Sequence, residues 1–323
     1  MLLGVSDNAI RLEPAFPDRA AVHDLIVGAG PFVPLARTAQ TEDEEKESGR
    51  AAVDYVPPWF RRDLATEGVV RVDGAELILH NPVFLGAALG VYPGSTIAEP
   101  TTVYVNVMAP TPFPFVSHRD IPVFRRANRW NCPVWLLGKM LRSGLFEKER
   151  IRLATAVAWF YDGVGGEFHY WPDGIEGESH VEGPPFGNVA VVADNERVFH
   201  GVASVGDRAK AHRESLTFDA EMVHDDGVWT ILDPAPVATH PADDIRVTIS
   251  WKAEVFADET ERDAVRTDGD DLPVGMIVDR FLADLEAMGI NAVAPDDPLH
   301  DTEWMDLLET AYPSPAPPIP SAR

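Results

Sequence analysis

Ser117-His118-Arg119-Asp120 and, 82 residues after His118, the stretch Val198-Phe199-His200-Gly201-Val202 decide how this chain is read. In an extended strand, residues two apart project to the same side, so His118 and Asp120 can reach one point while Arg119 points away. A third ligand for that point has to arrive on another strand, and His200 sits in an apolar, strand-forming setting. Two imidazoles and one carboxylate on adjacent corners of an octahedron are the donor set of non-haem Fe(II), with three corners left open.

Working outward, Thr101-Thr102-Val103-Tyr104-Val105-Asn106-Val107-Met108 alternates and is β-branched, which predicts a strand leading through Pro110–Pro114 into the His-x-Asp stretch. Downstream, Gly165–Trp171, Asn188–Val192, Arg197–Val205 and Ile245–Phe256 read as strands. Glu214–Val223 and Val228–Leu232 read as a hairpin about Asp225-Asp226-Gly227. Upstream, Val69–Leu79 reads as a hairpin turning at Asp73-Gly74, while Asp18–Ile26 and Trp59–Thr66 read as short helices. Apolar residues recur at helical intervals over 133–160, broken at Ser143-Gly144, so two helices are expected there; 275–289 and 303–311 read as two more. Thr41–Ser48 is a charge run, and 313–320 a proline-rich extended tail.

Composition narrows the classes. The 323 residues are 45% hydrophobic, enough for a sizeable core. Fifty-two acids against 27 bases give a formal charge of −25, which argues against nucleic acid or an anionic membrane surface as partner. A single cysteine, Cys132, allows no internal disulfide, and no secretory signal or membrane span is evident, so a cytoplasmic location is expected. Twenty-eight prolines and 24 glycines suit many short strands better than a helical bundle. The expected organisation is a single domain over 1–323: an elaboration at 1–100, a core at 101–256, helices at 257–312 and the tail at 313–323.

Short strands, a strand-end His-x-Asp and a later strand-borne histidine suggest a mainly β fold with flanking helices, a double-stranded β-helix or cupin-like jelly roll. Over roughly 101–220, with an extension to 256 left open, the pattern resembles the Fe(II)/2-oxoglutarate-dependent dioxygenases. The resemblance implies Fe(II) held by His118, Asp120 and His200. It also implies 2-oxoglutarate and O2 consumed to give succinate and CO2 while a small molecule is oxidised. Because Asp120 keeps its carboxylate, hydroxylation, desaturation or ring formation is implied over chlorination.

The family places an arginine a little over ten residues past the distal histidine, often as Arg-x-Ser, to grip the far carboxylate of 2-oxoglutarate. Arg213 and Ser215 stand at that spacing, 13 residues past His200. A planar guanidinium takes a carboxylate in two parallel hydrogen bonds, and a serine two residues along a strand shares its face. Arg246 and Thr248 have the same form and take the role instead if 214–233 is an inserted hairpin. Tyr104 and Asn106 are of the kind that help seat 2-oxoglutarate. Arg125, Arg126, Trp135, Phe168 and Trp171 are expected around the substrate, the arginines as partners for an acidic group. Glu167 and His169 are an alternative metal pair, weaker than the triad. Two other readings stay open: a cupin-like protein that binds metal or ligand without turnover, and a cupin enzyme that does not use 2-oxoglutarate.

Overall fold

A computed structural model of the chain describes residues 2–6, 8–39, 55–267 and 272–320. The charge run Thr41–Ser48 lies outside them. In chain order the strands are β1 (Leu2–Ser6), β2 (Ala9–Leu12), β3 (Val33–Pro34), β4 (Trp59–Thr66), β5 (Val69–Val70), β6 (Ile97–Met108), β7 (Phe115–His118), β8 (Arg152–Phe160), β9 (Phe168–Trp171) and β10 (His180–Glu182). They continue with β11 (Ala190–Ala193), β12 (Phe199–Val202), β13 (Glu221–Asp225), β14 (Val228–Leu232), β15 (Pro236–Pro241) and β16 (Arg246–Phe256). The helices are α1 (Arg19–Gly28), α2 (Leu35–Ala39), α3 (Glu76–Leu79), α4 (Pro82–Val91), α5 (Val134–Ser143), α6 (Glu259–Arg266), α7 (Val274–Ala287) and α8 (Thr302–Ala311).

The large sheet runs β1-β2-β11-β8-β16-β6-β4-β3, with β5 paired to β4, and the small sheet runs β10-β9-β12-β7. Along the chain, β6, β8, β11 and β16 go to the large sheet and β7, β9, β10 and β12 to the small one. That alternation is the winding of a double-stranded β-helix, the jelly roll expected from the sequence. Val157 and Trp159 of β8, Val191 of β11, Phe168 and Tyr170 of β9, and Val202 of β12 form one buried cluster between the two sheets. The other face of the large sheet buries Val103, Val105 and Val107 of β6, Ala154, Ala156 and Ala158 of β8, and Ile249 and Trp251 of β16. Helix α4 covers it: Asn81 caps its first turn by accepting from the Val83 amide at 2.9 Å, Pro82 opens it, and Phe84 reaches the Trp251 ring at 5.6 Å.

Three expectations are corrected. Residues 152–160 are strand β8, not a second helix. Apart from the buried Thr155, Leu153–Phe160 is apolar on both alternating sets because both faces of the strand are covered, and such a run has no period that separates strand from helix. Residues 59–66 are strand β4, with Phe60 and Leu64 in the outer core and Arg61 and Asp63 on the opposite side. After Val70 the chain does not return as a hairpin; Gly74 (φ 88°) leads into helix α3. The proposed hairpin about Asp226-Gly227 does form, with φ of 43° and 78° there, but its first strand starts only at Glu221. With β15 it makes a separate three-stranded sheet inserted between β12 and β16.

The residues group into two compact units, one of 1–119, 153–255 and 317–323, the other of 120–152 and 256–316. The second has its own core of Leu136, Leu137 and Met140 from α5, Phe281 and Leu285 from α7, and Trp304 and Leu308 from α8. Within it Lys139, buried, pairs with Glu309 and donates to the Tyr312 carbonyl at 2.9 Å, and Arg280 binds Glu149 through two bonds of 2.9 and 2.7 Å.

Candidate metal centre

β7 and β12 are antiparallel neighbours, and their register sets His118 directly opposite His200. Directly opposed residues share a face, so both imidazoles point to one side, their ring centroids 4.5 Å apart. Asp120 follows two residues after His118 along the same run of chain. One ligand atom from each of His118, Asp120 and His200 lies within 4.8 Å of the other two, the one such group of three or more among the described residues. Glu167 and His169 do not join it.

The histidines are oriented as ligands should be. Nδ1 of His118 is 3.1 Å from the Val116 carbonyl and Nδ1 of His200 is 3.1 Å from the Val198 carbonyl. A carbonyl only accepts, so the tautomer that suits these contacts is the one with the proton on Nδ1, the tautomer in which a histidine ligates through Nε2. Phe115 packs at 5.2 Å from the His118 ring and Phe168 at 5.9 Å from that of His200. The set fits a divalent first-row metal: two neutral nitrogens, one carboxylate, and orientation fixed from behind.

A second feature of the same barrel is Arg246, at the start of β16 and fully buried. Its Nε donates to the Gly166 carbonyl at 2.7 Å and its Nη1 to Thr248 Oγ1, with Met108 Sδ at 3.9 Å. Its Nη2 is buried with no hydrogen-bond partner. Burial, partly offset by Tyr161 and Glu167, pushes the guanidinium down to about 9. Gly166 (φ 72°) is required beside it, because a Cβ there would stand 2.8 Å from Arg246 Cδ. Ring contacts run from this arginine to the triad: Arg246 over Phe186 at 5.7 Å, Phe186 on Trp159 and Trp159 on Phe168 at 5.0 Å each, and Phe168 beside His200. Asn106, two residues from Met108 and on the same face of β6, has a buried Oδ1 with no partner. Tyr104, two further on, lies under the Arg61 guanidinium at 3.7 Å.

Arg213 is elsewhere. It is exposed on the loop before β13 and donates to the Arg208 carbonyl at 3.3 Å. Ser215, on no strand, accepts from the Val56 amide at 3.0 Å. The condition under which Arg246 and Thr248 replace Arg213 and Ser215, an inserted hairpin, is met by β13–β15. Phe168 faces the barrel interior with Tyr170, whereas Trp171 projects from the opposite face of β9, stacked at 6.1 Å on His169. Arg125, Arg126 and Trp135 belong to the second unit; Arg126 is exposed and Trp135 Nε1 donates to the Leu299 carbonyl at 3.4 Å. Sequence reasoning passed over Gly166, Trp159 and Phe186; the paired glycines Gly165-Gly166 were the available signal for a close approach.

No family model and no curated protein matches the chain. Among solved structures it is similar to a 2OG-Fe(II) oxygenase family oxidoreductase from Burkholderia pseudomallei, at 13% identity and a TM-score of 0.41, over 76% of this chain and 85% of that one. It is also similar to a Trichoplax adhaerens prolyl hydroxylase in complex with a hypoxia inducible factor peptide, at 13% identity and a TM-score of 0.41, over 80% and 87%. The α-ketoglutarate-dependent epimerase SnoN from nogalamycin biosynthesis is similar at 11% identity and a TM-score of 0.38, over 77% and 78%. Among the described residues, no helix is long and apolar enough to cross a membrane.

Proposed function

We propose that this protein is an Fe(II)- and 2-oxoglutarate-dependent oxygenase that hydroxylates, desaturates or cyclises a small molecule. The observation that carries the reading is the buried, unpaired face of Arg246 in the same jelly roll as a two-histidine, one-carboxylate triad. A guanidinium withdrawn from water without a carboxylate partner is strongly unfavourable, and a bound dianion relieves it. 2-Oxoglutarate has the right form: one carboxylate for Arg246 and Thr248, and a keto-acid end for the metal.

The roles divide as follows. His118 and His200 through Nε2, with the Asp120 carboxylate, hold Fe(II), which supplies oxygen activation when bound. The Val116 and Val198 carbonyls keep both imidazoles in the ligating tautomer. Arg246 anchors the co-substrate, and Asn106 offers a further polar contact beside it. Trp159, Phe168 and Phe186 exclude water between anchor and metal, which strengthens the charge pairing. Asp120 holds its corner as a carboxylate, which leaves no vacancy there for halide.

The test is anaerobic addition of Fe(II) and 2-oxoglutarate, followed by air. A weak visible charge-transfer band and then stoichiometric succinate are expected. Metal binding without the band or succinate would instead mark a binding protein, or an enzyme that does not use 2-oxoglutarate.

A further inference from the structure

The strand that bears most of the metal site is poorly secured by its own sheet. β7 is four residues long, lies at the edge of the small sheet, and pairs only with β12, with a register shift between its two matched positions. Short edge strands open readily. Yet His118 ends this strand and Asp120 follows it.

On the side away from the imidazoles, β7 and β12 meet the chain's own C-terminal tail. Residues 317–323 group with the first unit, and Pro320 is buried although Pro317 and Ile319 before it are exposed. The place a side chain on Gly201 would take is already filled: a Cβ there would lie 2.8 Å from Pro320 Cγ and 2.6 Å from Ser117 Oγ. Gly201 follows His200 and Ser117 precedes His118, so the proline ring and the serine both border the one space beside Gly201, next to the two ligand-bearing positions. Ser117 is buried and its Oγ has no hydrogen-bond partner, so the contact is one of packing.

We propose that the proline-rich tail is a positioning strap: Pro320, seated on Gly201 beside Ser117, holds β7 against β12 and fixes the spacing of His118 and His200. A segment with five prolines between 313 and 320 is stiff and extended before it docks, so it loses little freedom on docking. Gly201 is the one residue type that leaves room for it. Pro320 touches no ligand atom; it acts through the strands. The inference rests on the triad being a metal centre.

The experiment is anaerobic titration with Co(II), read by its visible ligand-field bands, on the full chain, a chain ending at Ala316, and the variants Pro320→Ala, Gly201→Ala and Ile319→Ser. Loss of a contact that orients ligands weakens metal affinity roughly 10- to 100-fold. Truncation and Gly201→Ala are expected to show that loss, Pro320→Ala a smaller one, and Ile319→Ser, at an exposed position, none. A purely structural tail would lower the urea midpoint of the apo protein and leave Co(II) affinity of the folded fraction unchanged; that result overturns the strap. If the truncated chain fails to fold, Pro320→Ala decides, and wild-type affinity there overturns it equally. If the full chain binds no Co(II) at all, the metal-centre reading falls, and the strap with it.

Discussion

Replacing Arg246 with methionine separates a ligand anchor from a structural arginine. The guanidinium, pushed by burial down to about 9 from its ordinary value, is disfavoured in its charged form by roughly 5 kcal/mol. Because the folded-state value is depressed for a base, the penalty is fully present below about 9 and fades only as the pH rises from there towards the ordinary guanidinium value. At neutral pH the variant escapes it. Against that, the Gly166 carbonyl and Thr248 Oγ1 lose charge-assisted hydrogen bonds of about 1.5–3 kcal/mol each. The two effects are of one size, so apo Arg246→Met should lie within about 2 kcal/mol of wild type, where loss of one partner of a buried ion pair costs 3–5 kcal/mol. The assay is urea unfolding at pH 7 with and without 2-oxoglutarate and a non-oxidisable metal. At one hundred times its dissociation constant the co-substrate should stabilise wild type by about 2.7 kcal/mol and the variant not at all. Equal stabilisation of both proteins, or an apo variant weakened by more than about 4 kcal/mol, would mean that Arg246 is a structural residue and not the anchor.

Arg213→Ala is the matched control: an exposed loop side chain bonded to one carbonyl, its loss should move stability by less than about 0.5 kcal/mol and leave 2-oxoglutarate affinity unchanged in the same titration. In the second unit, the Arg280 guanidinium holds the Glu149 carboxyl below the usual carboxylate range. Its contribution to stability is therefore present at neutral pH and lost as the pH falls through the acidic range. Arg280→Ala should shift the acid-unfolding midpoint, followed by circular dichroism, to higher pH, and a midpoint identical to wild type would count against it.

The triad was legible because its chemistry and its strand geometry coincide: a two-residue spacing is a ligand spacing only on an extended backbone, and the alternation of Thr101–Met108 placed that backbone just upstream. β8 was not legible, since Ala154, Ala156 and Ala158 on one face and Val157 and Trp159 on the other carry no period once both faces are buried. β4 was hidden differently: Arg61 and Asp63, on the side away from Phe60 and Leu64, bond each other near the surface, so its polar residues look like a solvated helix face. Counting along the chain could not separate Arg213 from Arg246. Distance along the chain does not register that β13–β15 fold on themselves and leave the barrel's last strand to begin at Arg246.

The position of that last strand reaches beyond the site. β16 does not add to an edge; it enters the middle of the large sheet, between β8 and β6. A chain emerging from the ribosome therefore carries two open strand edges until residue 256 is made, and each is a template for pairing with another chain. The jelly roll closes in one late event, and the same event delivers Arg246 to its pocket. Synthesis halted anywhere before β16 leaves a sheet split down its centre, which is a substrate for chaperones rather than a smaller folded domain.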